Sequence, residues 1–308
     1  MFFVAGGTGF IGRHLIEALQ RGGCGVRCLV RNPEKASACE RAGFGSAVGD
    51  ITDRESLRGA LDGCSVAVHL VGIIEEKGAA TFERVHVLGT ENLVSEAKKT
   101  RVKHFFYQSA LGASAESPSN YLRTKAQAEE IVKASGLPHT IFRPSLVVGE
   151  GDGFTAKLRG LIEIGPVVPI PGDGTTKFQP IYVDDWSRCF TSLFCPSGER
   201  YPGVSKLYEI GGPEHLTYNE IVAQLMNAMG VRKPTMHVPL EMLRLSLPFS
   251  GISRGIGALL GKKIPSVTRG QLELLQSDNI CDRDSVEKNF GFVPMTYGEA
   301  LKRFIANT

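Results

Sequence analysis

The fold is decided by Gly6-Gly7-Thr8-Gly9-Phe10-Ile11-Gly12, close to the start of the 308-residue sequence. An apolar run, Phe2-Phe3-Val4-Ala5, precedes it and predicts a buried strand, and residues 14–19 follow it with helical periodicity. A strand, a glycine turn and a helix in this order are the setting of a dinucleotide-binding fingerprint. The glycines permit the tight turn, the approach of backbone to a pyrophosphate, and close packing of helix on strand. The N–H groups at the helix start then face the phosphates.

Composition and charge narrow the class of protein. Hydrophobic residues make up 42% and charged residues 22% of the chain, which is typical of a globular protein with a sizeable core. The net charge of +3 is too small to favour nucleic acid as a partner. The seven cysteines form no C-x-x-C pair, which favours reduced, mostly buried thiols and a cytoplasmic location. A strand beginning at Phe2 leaves no room for a signal peptide, and the sequence predicts no membrane-spanning helix.

The first half of the chain alternates segments with strand and helix patterns. The predicted strands are 2–5, 26–30, 46–48, 66–71, 105–107 and 140–142. The predicted helices include one near 54–61, a long one over 81–99 and one over 121–134. Such alternation predicts a doubly wound parallel Rossmann sheet of the α/β class, covered by helices on both faces.

The pattern changes after Gly149, where proline and glycine crowd a stretch that predicts loops and short strands. Strand patterning returns at Ile181–Val183 and Leu207–Ile210. We therefore predict a small C-terminal substrate lobe that roofs the nicotinamide end of the cofactor. The Rossmann domain is assigned to 1–150 plus about 178–210, and the lobe to 151–177 and 211–308.

Tyr121 and Lys125 lie four residues apart, on one face of a predicted helix. A lysine cation stabilises a phenolate, so Lys125 is expected to lower the pKa of Tyr121 toward the range of a general acid/base. Ser109 ends the preceding strand, where its hydroxyl is expected to position a substrate oxygen. The alternative is that Tyr121 and Lys125 form a solvated pair on a helix surface, since this spacing is common by chance. Their position at the carboxyl edge of a dinucleotide-binding sheet, where ligands bind, favours catalysis.

Arg31 follows the second strand, where NAD-preferring sites carry an acid on the ribose 2′-hydroxyl. A guanidinium there binds a 2′-phosphate, so NADP(H) is favoured and NAD(H) is the second choice. The alternative is an exposed strand-end arginine without a ligand. The seven histidines lack zinc spacing, so no metal site is predicted. His86 lies on the helix that faces the cofactor, and a packing role is equally open.

The sequence resembles a short-chain dehydrogenase/reductase of the extended or atypical group, the NAD(P)-dependent epimerase/dehydratase family. The residues that carry this resemblance are Gly6, Gly9, Gly12, Asp50-Ile51, His69-Leu70-Val71-Gly72, Ser109, Tyr121, Lys125 and Arg143-Pro144-Ser145. More narrowly, segments 108–113, 143–149 and 178–185 resemble the branch that contains the NADPH-binding accessory subunit of respiratory complex I and its bacterial relatives. The resemblance extends from residue 1 to about 212.

The resemblance implies a set of cofactor contacts. Those to the pyrophosphate come from Gly6, Thr8, Gly9, Phe10 and Ile11, with Gly12 completing the fingerprint. The adenine is met by Asp50 and Ile51, and a ribose is lined by Leu70, Val71 and Gly72. The nicotinamide ribose is contacted by Tyr121 and Lys125, and the nicotinamide is flanked by Pro144, Ser145, Leu146 and Val147.

Two functions from different classes follow. The first is an NADP(H)-dependent oxidoreductase or epimerase/dehydratase, with Tyr121 as acid/base, Lys125 supporting it and Ser109 positioning an unidentified small-molecule substrate. The second is a non-catalytic NADPH-binding structural or assembly protein, since members of the complex I branch often lack the tyrosine that this chain keeps. An apolar stretch at 243–260 forms either a pocket wall or a surface for a membrane or partner, so association with a respiratory complex or the inner membrane stays open.

Overall fold

A seven-stranded parallel sheet is the frame of the protein, for which a computed structural model describes residues 1–195, 205–242, 275 and 277–305. Its strands are β1 (Phe2–Ala5), β2 (Val26–Val30), β3 (Gly45–Val48), β4 (Val66–His69), β5 (His104–Gln108), β6 (His139–Pro144) and β11 (Lys206–Ile210). Their order across the sheet is β11-β6-β5-β4-β1-β2-β3, and every neighbouring pair is parallel. The predicted doubly wound α/β sheet is confirmed.

Helices cover both faces of this sheet. They are α1 (Phe10–Arg21), α2 (Pro33–Arg41), α3 (Gly89–Lys99), α4 (Asn120–Ala134) and α6 (Val183–Phe194). Successive strand residues point to opposite faces, and β5 shows the result. Phe105 and Tyr107 belong to the apolar core that includes residues of α3 and α4. Phe106 packs its ring edge on Phe190 of α6, with centroids 4.8 Å apart.

The chain divides into two compact units. The first unit comprises Met1–Pro144 and Val183–Ile210, and the second comprises residues 145–182 and 211–308. Residues 145–150 and 178–182, assigned to the Rossmann domain from the sequence, lie in the second unit. The reason is strand pairing: β7 (Val147–Val148) pairs with β10 (Ile181–Tyr182) in a separate two-stranded sheet. That the C-terminal lobe covers the nicotinamide end of the cofactor remains a prediction.

The second unit contains short strands and four described helices. Its further elements are α5 (Gly153–Ile164), β8 (Val168–Pro171), β9 (Lys177–Phe178), β12 (Leu216–Thr217), α7 (Tyr218–Ala228), β13 (Thr235–Val238), α8 (Ser285–Phe290) and α9 (Tyr297–Ile305). Two more two-stranded sheets pair β9 with β12 and β8 with β13. The apolar stretch 243–260 lies outside the described residues. None of the helices in the described ranges is long and apolar enough to cross a membrane.

Two predicted helices differ from the structure. The segment predicted as a helix near 54–61 forms only a 3₁₀ turn, Glu55–Leu57. Gly59 then takes a φ of +72°, which a right-handed helix does not allow. The long helix predicted over 81–99 is helical, but its first part, Glu83–Leu88, is a π-helical turn that leads into α3. Such turns are rare and frequently mark functional sites.

Candidate cofactor cradle and active site

The glycine turn at the end of β1 brings the backbone of Gly9 and Gly12, at the start of α1, close to that of Gly6. Gly6 has a φ of +91°, and the Gly9 N–H donates a hydrogen bond of 3.0 Å to the Gly6 carbonyl. A Cβ on Gly12 would lie 2.2 Å from that carbonyl oxygen, so only glycine lets α1 start here. The first turn of α1 has no acidic residue and no side-chain cap at Gly9. Its N–H groups therefore suit the pyrophosphate of a dinucleotide.

The remaining predicted pyrophosphate residues lie in the same turn. Thr8 is exposed, and Phe10 and Ile11 are half-buried. The Phe10 ring meets His14 edge-on, with centroids 5.6 Å apart, and His14 Nδ1 lies 3.1 Å from Asp184 Oδ1 of α6. These contacts hold the first turn of α1 against its neighbouring helix, so the phosphate-facing end of α1 has a fixed position.

The residues predicted at the adenine end lie on the same carboxyl edge of the sheet. Arg31 follows β2 directly, and its side chain is exposed. The Asp50 carboxylate accepts hydrogen bonds from Thr52 N and Oγ1, at 2.8 and 2.9 Å, and is held within its own turn. Ile51 is buried in the core, and a Cβ on Gly89 would lie 2.6 Å from its Cδ1. Ile51 therefore fixes the start of α3, and adenine contacts by Asp50 and Ile51 stay a prediction.

The structure brings the predicted ribose loop, Leu70–Gly72, between the glycine turn and α4. A Cβ on Gly6 would lie 3.0 Å from the backbone of Leu70 and Val71. A Cβ on Gly72 would lie 3.9 Å from Lys125 Nζ. Elements predicted separately from the sequence thus meet at one edge of the first unit.

Lys125 is buried at the centre of this group, with 3% of its surface exposed. Its ammonium donates to the Gln108 carbonyl and lies 4.5 Å above the centroid of the Tyr107 ring. Burial lowers the pKa of Lys125 to about 7, although the Glu129 carboxylate opposes the shift. The backbone carbonyl and the π-face therefore solvate a charge that the interior otherwise disfavours.

Tyr121 differs from the sequence expectation in its electrostatics. Burial raises the pKa of its phenol to about 12, so the expectation that Lys125 lowers this pKa is wrong for this structure. Desolvation disfavours the phenolate. The Tyr121 ring packs edge-on against Phe82 and His86, with centroid distances of 5.9 and 5.6 Å. Tyr121 consequently holds its proton throughout the physiological pH range.

Ser109 belongs to a buried polar network that sequence reasoning missed. Its hydroxyl donates to Glu129 Oε1, and only 2% of Ser109 is exposed. Arg143 binds the same carboxylate through Nε and Nη2, each at 2.8 Å. A substrate oxygen would have to displace Glu129 from the Ser109 hydroxyl. The signal for Glu129 was its position one helical turn after Lys125 on the same face.

His86, for which the sequence left a packing role open, makes hydrogen bonds through both ring nitrogens. It is 1% exposed and lies in the π-helical turn before α3. The Ile73 N–H donates to His86 Nε2 at 3.1 Å, and His86 Nδ1 lies 2.9 Å from Thr124 Oγ1. Burial, with Lys125 and His69 nearby, lowers the pKa of His86 to about 2, so its ring is neutral.

The residues predicted to flank the nicotinamide are divided between the units. Pro144 ends β6 in the first unit, and its carbonyl accepts the Leu111 N–H at 3.1 Å. Ser145, Leu146 and Val147 belong to the second unit, where the Ser145 hydroxyl contacts Asn279 O and Oδ1 at 2.7 and 2.8 Å. Their contact with the nicotinamide stays a prediction.

Comparison with known proteins identifies an NAD(P)H-binding domain in this chain. A family model described as NAD(P)H-binding matches residues 6–158, which include the glycine turn, the Leu70–Gly72 loop, Tyr121 and Lys125. A mitochondrial relative in Arabidopsis thaliana, NADH dehydrogenase [ubiquinone] 1 alpha subcomplex subunit 9, is 33% identical over 73% of this chain. Residues 6–158 thus form an NAD(P)H-binding domain, and the chain resembles proteins of the extended short-chain dehydrogenase/reductase family. The match spans 57% of the Arabidopsis protein.

Other proteins similar to this chain are named as reductases. A Stigmatella aurantiaca protein named 4-hydroxy-2-methyl-3-oxo-4-farnesyl-3,4-dihydroquinoline-1-oxide ketoreductase is 27% identical, over 79% of this chain and 77% of its own length. The same fold occurs in the Escherichia coli NADPH-dependent quinone oxidoreductase solved with NADPH. That structure has a TM-score of 0.71 and 22% identity, with 98% of this chain and 99% of the other covered.

Burial of Lys125 predicts a pH-dependent stability. Its folded pKa, about 7, lies below the 10.5 of an ordinary lysine, so the unfolded chain binds the extra proton between these values. Stability due to this group therefore rises as the pH rises from 7 toward 10. We expect the free energy of unfolding of the natural protein to gain on that of Lys125→Met by up to about 1.4 kcal/mol per pH unit. Urea unfolding at several pH values measures it, and a constant difference from pH 6 to 10 contradicts it.

Proposed function

We propose that this chain is an NADP(H)-dependent reductase of ketones in which Tyr121 is the proton donor. The observation that carries the proposal is the protonated, desolvated phenol of Tyr121 on the helix whose buried Lys125 abuts the Leu70–Gly72 loop. Reduction of a carbonyl needs a group that gives up a proton, whereas epimerisation and dehydration begin with removal of one. A pKa of about 12 suits the donor better than the base.

In the proposed carbonyl reduction, three residues of the first unit have separate roles. A bound reduced nicotinamide supplies the hydride. As negative charge develops on the carbonyl oxygen, Tyr121 transfers its phenolic proton to that oxygen. The phenolate left behind takes up a proton from water. We assign Lys125, one helical turn away on α4, to the ribose of the nicotinamide. We assign Ser109 a supporting role, because it joins the end of β5 to Glu129 on α4.

The substrate class is proposed from chemistry and from one relative. Ketones are the simplest substrates for a hydride and a phenolic proton, and the Stigmatella relative is named a ketoreductase. The proposal is therefore single carbonyl reduction rather than multistep sugar chemistry.

A second candidate function is a non-catalytic NADPH-binding subunit or assembly protein. It is favoured by the relative in Arabidopsis, which is named as a subunit of NADH dehydrogenase. In that role NADPH would stabilise the first unit, and the chain would lie peripherally on a respiratory complex. A cofactor that binds only the folded state raises the midpoint of thermal unfolding whether or not turnover occurs, so a turnover measurement separates the two functions.

Cofactor preference is predicted to depend on Arg31. A charge-assisted hydrogen bond to a 2′-phosphate contributes about 1.5–3 kcal/mol, so NADPH should bind at least about tenfold more tightly than NADH. We expect Arg31→Ala to remove most of this difference while leaving NADH affinity unchanged. Calorimetry at fixed salt measures it, with Arg41→Ala as the control because Arg41 ends α2 at the opposite edge of the sheet. Equal affinities of the natural protein for NADPH and NADH would refute the assignment.

Tyr121→Phe tests the proton donor. We expect NADPH affinity close to that of the natural protein, because the variant keeps the ring and its packing. Turnover of a ketone should fall by about 100- to 10,000-fold. The assay is NADPH oxidation with a ketone panel that includes lipophilic members.

The control for this test is Tyr208→Phe, which removes a phenolic hydroxyl on edge strand β11. It should keep full turnover. Full activity of Tyr121→Phe would eliminate the proposed donor. If the natural protein binds NADPH without oxidising it against any ketone, the structural role is supported instead.

A further inference from the structure

His86 is enclosed by the elements that would hold the nicotinamide half of the cofactor. Its imidazole stacks on Phe82, with centroids 5.4 Å apart and an interplanar angle of 27°. Its other neighbours are the Tyr121 ring and Gly72, where a Cβ would lie 3.6 Å from Nε2. The reaction proposed above uses no atom of His86, yet the ring is almost completely buried.

The two ring nitrogens have different, fixed roles. Nε2 accepts the Ile73 N–H, so it carries no proton, and the proton of the neutral ring is on Nδ1. Nδ1–H therefore donates to Thr124 Oγ1. The Thr124 hydroxyl in turn lies 3.0 Å from the carbonyls of Asn120 and Tyr121 and donates there. One hydrogen-bonded chain thus joins the loop after β4 to the turn of α4 that carries Tyr121.

We propose that His86 is a positioning residue, which couples Ile73, directly after the Leu70–Gly72 loop, to the turn of α4 that carries Tyr121, for binding of the nicotinamide half of the cofactor. This inference rests on the proposed function for the identity of the site, and it goes further in assigning a task to a residue outside the reacting set. The π-helical turn supports it, because that turn holds the imidazole between the loop and α4.

The inference predicts an effect confined to one half of the dinucleotide. His86 touches neither the glycine turn nor Arg31, which serve the pyrophosphate and the 2′-phosphate. Loss of its two hydrogen bonds should release the loop and α4 from each other, while the phosphate cradle keeps its form. NADPH, which spans both halves, should bind more weakly. The fragment 2′,5′-ADP, which lacks the nicotinamide half, should bind as before.

The test compares His86→Phe with His86→Gln in the full chain, with calorimetry of NADPH and of 2′,5′-ADP. Phenylalanine keeps the stacked ring and removes both hydrogen bonds. The glutamine carboxamide restores a donor and an acceptor at similar spacing. We expect His86→Phe to weaken NADPH about tenfold, the worth of roughly one net hydrogen bond. Its 2′,5′-ADP affinity should stay within about twofold, and His86→Gln should recover most of the NADPH affinity.

His104→Phe is the matched control, because His104 is also buried in the first unit and bonds Thr140 at 2.9 Å. It should lower the midpoint of thermal unfolding without changing either affinity. Equal weakening of both ligands by His86→Phe, or of neither, would overturn the inference. If that variant does not fold, Thr124→Val removes the partner of Nδ1–H and should weaken NADPH alone; an unchanged NADPH affinity again refutes it. Neither assay needs turnover, so a failure here is distinct from failure of Tyr121 as proton donor.

Discussion

The close approach of α1 to the end of β1 fixes the geometry on which the rest of the site depends. A Cβ on Gly12 would overlap the Gly6 carbonyl oxygen, so the helix begins against the strand with no side chain between them. The same turn abuts the backbone of Leu70 and Val71 at the end of β4. Through that contact, the position of the helix N-terminus determines where the ribose loop lies, and the loop in turn lies against Lys125. A larger residue in the turn would therefore disturb phosphate binding and the Tyr121 region together.

Helix α4 carries three titratable side chains into this region, and each is in a different electrostatic environment. Tyr121, Lys125 and Glu129 follow one another at intervals of four residues on α4, where Tyr121 is half-buried and the other two are buried. Burial disfavours the charged form of each group, and the three side chains meet this cost in different ways. Tyr121 stays neutral, Lys125 is solvated by a carbonyl and a ring, and Glu129 is paired with Arg143. A buried charge needs such partners, and here the partners also hold β5 and β6 against the helix.

Sequence reasoning succeeded where the signal was local. The strand, glycine turn and helix from Phe2 to Arg21 were predictable because Gly9 and Gly12 approach the backbone of Gly6, only a few residues away. The placement of Tyr121 and Lys125 one turn apart on a single helix was also predictable, because it depends only on the helical pattern of the neighbouring residues. It failed where the decisive interaction was distant or conformational. Nothing nearby in the sequence shows that β7 pairs with β10, that Gly59 takes a positive φ, or that burial raises the pKa of Tyr121. The tasks of Glu129 and His86 likewise depend on partners from other elements.

The central claim is that this edge of the sheet reduces a carbonyl, and isotope transfer tests it most directly. The natural protein is incubated with NADPH deuterated at the transferable position of the nicotinamide and with a panel of ketones, and products are analysed by mass spectrometry. Carbonyl reduction predicts an alcohol that carries one deuterium at the carbinol carbon and whose hydroxyl proton exchanges with water. Tight binding of the deuterated cofactor, with no label in any product, would contradict the claim and favour a structural role for the bound nucleotide.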